Sequence, residues 1–248
     1  MEDSLTGTHT TDTGGRESVC IEFVGLPGVG KTTLSQTVAT ELTSRGISVS
    51  EPTRQIDTHP DFRRIVKKTH FAARSWLKSP QTDLRTARES LATDQHTVQD
   101  LIHTLFNLYY ISGVVNANPS CTVCLLDQGP YQGIWSIGLQ AKTDWSTIFD
   151  RFEGYLTKVS PTMVVFVEAS EETIEARIRK RTGGSTRFSL DTETFDRGIN
   201  GYEKLKSQIR SADSGPNSIL VENESREVLQ PNAVKIADVI QSGLYDPI

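Results

Sequence analysis

Gly25-Leu26-Pro27-Gly28-Val29-Gly30-Lys31-Thr32 is the stretch whose residue types and spacing imply chemistry without further context. It matches G-x-x-x-x-G-K-[ST]. In that pattern the glycines let consecutive backbone N–H groups converge on phosphate oxygens with no Cβ in the way, and the following helix adds about half a positive charge at its N-terminus. Phosphates are therefore assigned to Gly25, Pro27, Gly28, Val29, Gly30, Lys31, Thr32 and Thr33, with Lys31 reaching the β- and γ-phosphates and Thr32 ligating Mg2+. Two acids close apolar runs: Asp127 after residues 121–126 and Glu168 after residues 162–167. In a parallel sheet both carboxylates emerge at the edge from which the glycine-rich loop rises. Asp127 is assigned to Mg2+, directly or through a water. Each acid also reads as a strand-end group capping a turn or the next helix, Glu168 the more so because it stands ahead of Ser170. Residues 177–187 hold five cations and no acid, with Gly183-Gly184 between Arg181 and Arg187. This segment reads either as a hinged loop that closes arginines over a transferred phosphoryl group or as a helix C-terminus followed by a solvated loop.

These groups need a scaffold that brings strand ends to one edge. Short β-branched runs at 19–24, 47–50, 121–126, 162–167 and 218–222 alternate with amphipathic stretches at 30–44, 61–77, 82–118, 130–156, 171–181, 191–210 and from 231. That alternation builds a parallel sheet covered on both faces by helices. Gly46 follows the first helix as a C-cap, Pro60 opens the next, and Ser79-Pro80 ends it. Residues 82–118 read as one long helix, with Leu91, Val98 and Leu105 seven apart. Ala92, His96, Gln99, His103, Asn107 and Tyr110 share one stripe of it, which is either a solvated face or a row able to read a base or sugar.

The chain of 248 residues carries 31 acidic and 26 basic side chains. Its net charge of −5 and pI near 5.6 argue against a protein that coats nucleic acid. No window approaches the roughly 18 apolar residues of a membrane span. Residues 1–18 lack both the basic and apolar regions of a secretory signal and read as a disordered leader; residues 19–248 read as one domain with a lid at about 177–190. Cys20 stands alone, and the C-x-x-C of Cys121 and Cys124 lies in a strand that sends its two sulfurs to opposite faces. Nothing in this cysteine usage points to an oxidising compartment, so a cytoplasmic location is expected.

In their order these features resemble the P-loop kinases of the thymidylate kinase and deoxynucleoside kinase group. The resemblance runs over residues 19–222. It rests on the P-loop, Glu51-Pro52 after the second strand, Asp127 before a helix holding Tyr131-Gln132-Gly133, and the 171–181 helix leading into an Arg-bearing lid. It implies a three-layer α/β P-loop NTPase fold with five parallel strands in the order 2-3-1-4-5. It also implies ATP and Mg2+ as cofactors, transfer of the γ-phosphate to a small nucleotide or nucleoside acceptor, and dimerisation through long helices such as 82–118. Glu51 takes the place of the group's general base, and Arg177, Arg181 and Arg187 that of its phosphate-binding arginines. Gln128 stands where relatives usually have Arg, and Leu108-Tyr109-Tyr110-Ile111 where thymidylate kinases have an Asp-Arg pair. These departures weaken the case for a monophosphate acceptor and leave Arg74, Arg85 and Arg88 as other ligands for one. A regulatory ATPase or GTPase stays open, although no N-K-x-D motif selects guanine; so does a kinase of a non-nucleotide small molecule or of a nucleic-acid end.

Overall fold

Five parallel strands form the centre of the computed structural model, which describes residues 18–57, 60–78, 80–117, 121–180, 192–212 and 215–245. Residues 1–17 of the expected leader, and Arg181 and Arg187 with the rest of the lid after Lys180, lie outside the described residues. The strands are β1 (Val19–Val24), β2 (Val49–Ser50), β3 (Val123–Leu126), β4 (Met163–Glu168) and β5 (Asn217–Glu222), in the order β2-β3-β1-β4-β5. β1, β3 and β4 have neighbours on both sides, and all four residues of β3 and the first five of β4 are buried. That burial on both faces is why they read as continuous apolar runs rather than alternating ones. Every strand ends at the same edge, so β1 delivers the glycine-rich loop beside Asp127 and Glu168.

Helices α1 (Lys31–Ser44), α2 (Pro52–Asp57), α3 (Asp61–Lys78), α4 (Pro80–Leu91), α5 (Val98–Val115), α6 (Pro130–Gln140), α7 (Trp145–Val159), α8 (Glu171–Lys180), α9 (Thr192–Ser211) and α10 (Leu229–Tyr245) complete the described elements. α1 packs on α10, while α5, α6, α7 and α9 form a second group. Gly46 takes φ +79° after α1, as expected of it. α2 was not expected, and the second strand is shorter than residues 47–50. No helix among the described residues is long and apolar enough to cross a membrane.

The single helix expected over 82–118 is two helices, α4 and α5. Asp94 adopts φ +50°, and Thr97 is extended and caps α5, its hydroxyl accepting from the Asp100 N–H at 3.1 Å. The intervening turn is bonded to the α6–α7 connection: His96 N–H donates to Gln140 O at 3.1 Å and Lys142 N–H to Asp94 O at 3.1 Å. Local capping and these long-range bonds outweigh the seven-residue periodicity, and Leu91 and Val98 are exposed rather than core. The helical region expected over 130–156 is made of two helices, α6 and α7. Asp144 caps α7 by accepting from Thr147 N–H at 3.1 Å, and Arg197 of α9 donates to the carbonyls of Gly138, Ala141 and Thr143 at the end of α6. Trp145 fills the corner between α6, α7 and α9. A Cβ on Gly138 would come within 1.9 Å of its ring, and one on Gly201 within 2.1 Å. Gly201→Ala should therefore lower the unfolding free energy by about 1–3 kcal/mol through overpacking, read as a shift in the urea midpoint without a change in slope.

Candidate functional site

The glycine-rich loop turns directly out of β1. Gly28 and Gly30 both take φ +95°, a conformation strained for any residue with a Cβ. A Cβ on Gly25 would lie 2.4 Å from the Val167 carbonyl oxygen, so the first glycine allows close packing on β4. A loop that aims its N–H groups inward turns its carbonyls outward, and here those carbonyls have donors. Val29 O accepts from the buried Asn223 Nδ2 at 2.7 Å and from Arg177 Nη1 at 3.1 Å; Arg177 Nη2 donates to Glu224 O at 3.0 Å. Asn223 is itself fixed through its N–H to Glu168 O at 2.7 Å. On the other side Lys31 Nζ spans the loop, donating to Gly25 O at 2.6 Å and Leu26 O at 3.1 Å.

Asp127, only 7% exposed, faces this loop. It accepts from Thr32 Oγ1 at 3.2 Å and, on its other oxygen, from Thr53 Oγ1 at 2.7 Å. A hydroxyl and a carboxylate side by side at a phosphate loop are hard oxygen donors of the kind that hold Mg2+, which takes its remaining ligands from phosphate and water. The donors present thus fit the ion. A cavity of about 290 Å3 opens from Lys31, Thr32 and Asp127 towards a wall formed by Thr104, Asn107 and Tyr110 of α5 and by Gln128, Gln132 and Trp135. The wall mixes amide, hydroxyl and aromatic side chains with the aliphatic Leu108, Ile111 and Leu139. Gln132 also ties the wall to the loop, its Oε1 accepting from Gly25 N–H at 3.2 Å.

Of the residues singled out in the sequence, the loop residues, Lys31, Thr32 and Asp127 converge. Arg177 bonds the loop's backbone from outside and does not line the cavity. Glu51 is buried with Ser35 Oγ at 3.3 Å and an ion pair to Arg54; it faces the groove between α1 and α2 and is not part of the cavity lining. Glu168 is held by Lys206 Nζ at 2.7 Å and Tyr202 OH at 3.0 Å, a packing role. Arg74, Arg85 and Arg88 are exposed and line no part of the cavity. The break between α4 and α5 removes Ala92 and His96 from the stripe, leaving Asn107 and Tyr110 in the wall. Cys20 and Cys124 are register partners on β1 and β3, and all three cysteines are free thiols.

Thr53, Asn223 and Glu22 were not anticipated. Glu22, at 0% exposure in the central strand, accepts from Gln132 N–H at 2.7 Å and Tyr131 N–H at 3.1 Å. Burial outweighs these donors and pushes its carboxyl up to about 8. The visible signal was one acid inside an apolar strand.

No family model matches the chain, and no curated protein matches it by sequence. Solved structures do share its fold. A deoxyadenosine kinase from M. mycoides with products dCMP and dCDP bound aligns at TM-score 0.55 and 17% identity over 90% of this chain and 99% of the other. The same kinase with dATP aligns at TM-score 0.53 and 16% identity over 92% and 100%, respectively. A thymidylate kinase from Ehrlichia chaffeensis gives TM-score 0.53 and 13% identity over 91% of this chain and 100% of its own. At these identities the likeness is one of fold.

Asn223→Asp places an acceptor against the Val29 carbonyl. Losing that bond should lower the unfolding free energy by about 1–3 kcal/mol, read as a shift in the urea midpoint. The raised pKa of Glu22 gives a pH signature as well. Its contribution to stability is complete below the ordinary 4.5 and is lost as pH rises through about 8. Urea unfolding should show a decline across that window, and Glu22→Gln should flatten it.

Proposed function

We propose that this chain is an ATP-dependent phosphotransferase that moves the γ-phosphate to a nucleoside or nucleotide acceptor. The observation that carries the reading is the continuity of the cavity: a phosphate loop with Lys31, Thr32 and Asp127 opens onto a second wall with room for a small molecule. The shared fold adds support, since the M. mycoides neighbours hold dATP, dCTP, dCMP and dCDP.

In this reading the backbone N–H groups of residues 28–33 and Lys31 bind and orient the ATP phosphates. Thr32 and Asp127 would hold Mg2+, which supplies charge neutralisation on the phosphates when bound. Phosphoryl transfer through a loose transition state asks for alignment and positive charge more than for covalent chemistry, and a rigid loop facing a rigid wall provides alignment. Gln128, Gln132 and Asn107 would orient the acceptor by hydrogen bonds. The proton of an acceptor hydroxyl would go to Asp127 in the cavity or to Glu51, which would have to exchange its Arg54 partner for the acceptor. Arg181 and Arg187 carry no part of this reading.

Exposed apolar side chains concentrate on α3, α4 and α5, among them Phe62, Leu77, Leu84, Leu91 and Val98. Helices α3, α4 and α5 pack on one another, and a homodimer through their exposed apolar side chains is the proposed use, read by sedimentation equilibrium. For the activity, ADP release is followed with ATP·Mg2+ against each deoxynucleoside and each monophosphate. One stimulating acceptor is expected, and Lys31→Ala should abolish the stimulation. Equal release with and without every acceptor would indicate an ATPase instead. Glu51→Gln should lower turnover by about 100-fold or more if Glu51 takes the proton, and leave it unchanged if Asp127 does.

A further inference from the structure

Helix α6 begins without a cap of its own. Its N-cap residue, Gly129, has no side chain, and Pro130 at the first turn has no N–H. The first free donors of the helix, the N–H groups of Tyr131 and Gln132, are satisfied by Glu22, 109 and 110 positions away in sequence and on another element. The fit is mutual, because a Cβ on Gly129 would come within 2.5 Å of the Glu22 Cδ. Glu22 sits at the register position of Leu126 on β3 and Val164 on β4, in the middle of the sheet. A carboxyl there is costly unless its oxygens are used. A serine at 129 would cap the helix locally and need no buried acid, yet the chain reaches across from β1.

That connection has a consequence for the site. β1 runs directly into the phosphate loop, and α6 carries Gln132, Gly133, Trp135 and Ser136 of the acceptor wall; Asp127 and Gln128 immediately precede it. Gln132, whose N–H is held by Glu22, in turn accepts from the Gly25 N–H. We propose that Glu22 is a positioning residue that fixes the acceptor wall of α6 against the phosphate loop, so that the distance between donor and acceptor is set from the strand that carries the loop.

The inference rests on the phosphotransferase reading for its effect on turnover, but its structural core is tested independently. Glu22→Ala removes the anchor and also opens the space that excludes a side chain at 129, so Glu22→Ala combined with Gly129→Ser restores a local cap without the tether to β1. Gly129 is extended, at φ −122°, a conformation open to serine. Amide hydrogen exchange by NMR reports on Tyr131, Gln132 and Gly25, and steady-state kinetics uses ATP·Mg2+ with the deoxynucleoside and monophosphate panel.

In Glu22→Ala, all three amides should exchange faster, and kcat/KM for the acceptor should fall roughly tenfold or more with the KM for ATP unchanged. In the double variant, protection of Tyr131 and Gln132 and the thermal midpoint should recover, while Gly25 exchange and acceptor kcat/KM should not. Recovery of all four together would make Glu22 a helix cap and nothing more, overturning the proposal, as would wild-type Gly25 exchange in the single variant. Should Glu22→Ala fail to fold, Glu22→Met keeps the volume with no acceptor oxygen for the Tyr131 and Gln132 N–H groups and supplies the same Gly25 and KM readouts. If the wild-type protein transfers phosphate to no acceptor on the panel, the phosphotransferase reading fails, and Gly25 exchange in the double variant alone upholds or overturns the positioning role.

Discussion

A loop that offers its N–H groups to an anion must send its carbonyls the other way, and buried carbonyls need donors. This constraint organises one flank of the site. The Val29 carbonyl takes hydrogen bonds from Asn223, just past β5, and from Arg177 on α8, just past β4. Gly30 has no Cβ because the Asn223 amide would lie 2.5 Å from it. Asn223 is in turn held by the Glu168 carbonyl at the end of β4. The glycine-rich loop is therefore held in full only when β4 and β5 are in place beside β1, and the parallel order that puts their ends at one edge is a condition of the loop's shape.

The opposite flank is built by the same economy of backbone groups. The N–H groups that open α6 would be unpaired without Glu22, and Glu22 would be an unsatisfied buried acid without them. Each half explains the other, and the pair joins the central strand to the wall facing the loop. Thr53 does similar work from α2: its hydroxyl holds one oxygen of Asp127 while Thr32 holds the other. Asp127 thus has its orientation set by two elements before any ligand is considered.

These arrangements divide what the sequence could disclose from what it could not. β1, α1, β3 and β4 were readable because each is announced locally, by an apolar run or by a glycine turn between a strand and a helix. The strand order followed from the resemblance and holds. The 82–118 reading failed because apolar spacing continues through the α4–α5 break while Leu91 and Val98 face outward; the better local signal was Thr97 three residues ahead of Asp100, a capping pattern. The shape of the glycine-rich loop was legible because its residues lie in one octet. Asn223, Glu22 and Thr53 were not, since they act on partners 194, 109 and 74 positions away. No short-range pattern encodes such separations.

Arg177 illustrates how placement changes the meaning of a charge. In sequence it is one of a run of cations suited to contact a phosphate directly. In the fold its guanidinium is spent on the carbonyls of Val29 and Glu224. A cation bonded to a peptide oxygen polarises that peptide group, and hydrogen bonds in series strengthen one another in a low-dielectric setting. The peptide whose oxygen Arg177 holds, Val29–Gly30, belongs to the loop that would face the phosphates in the proposed function. Positive charge would then reach the anion through the backbone. This accounts for a loop whose variable positions, Leu26, Pro27 and Val29, carry no basic side chain: the cation sits behind the loop, where it shapes the binding surface without occupying it.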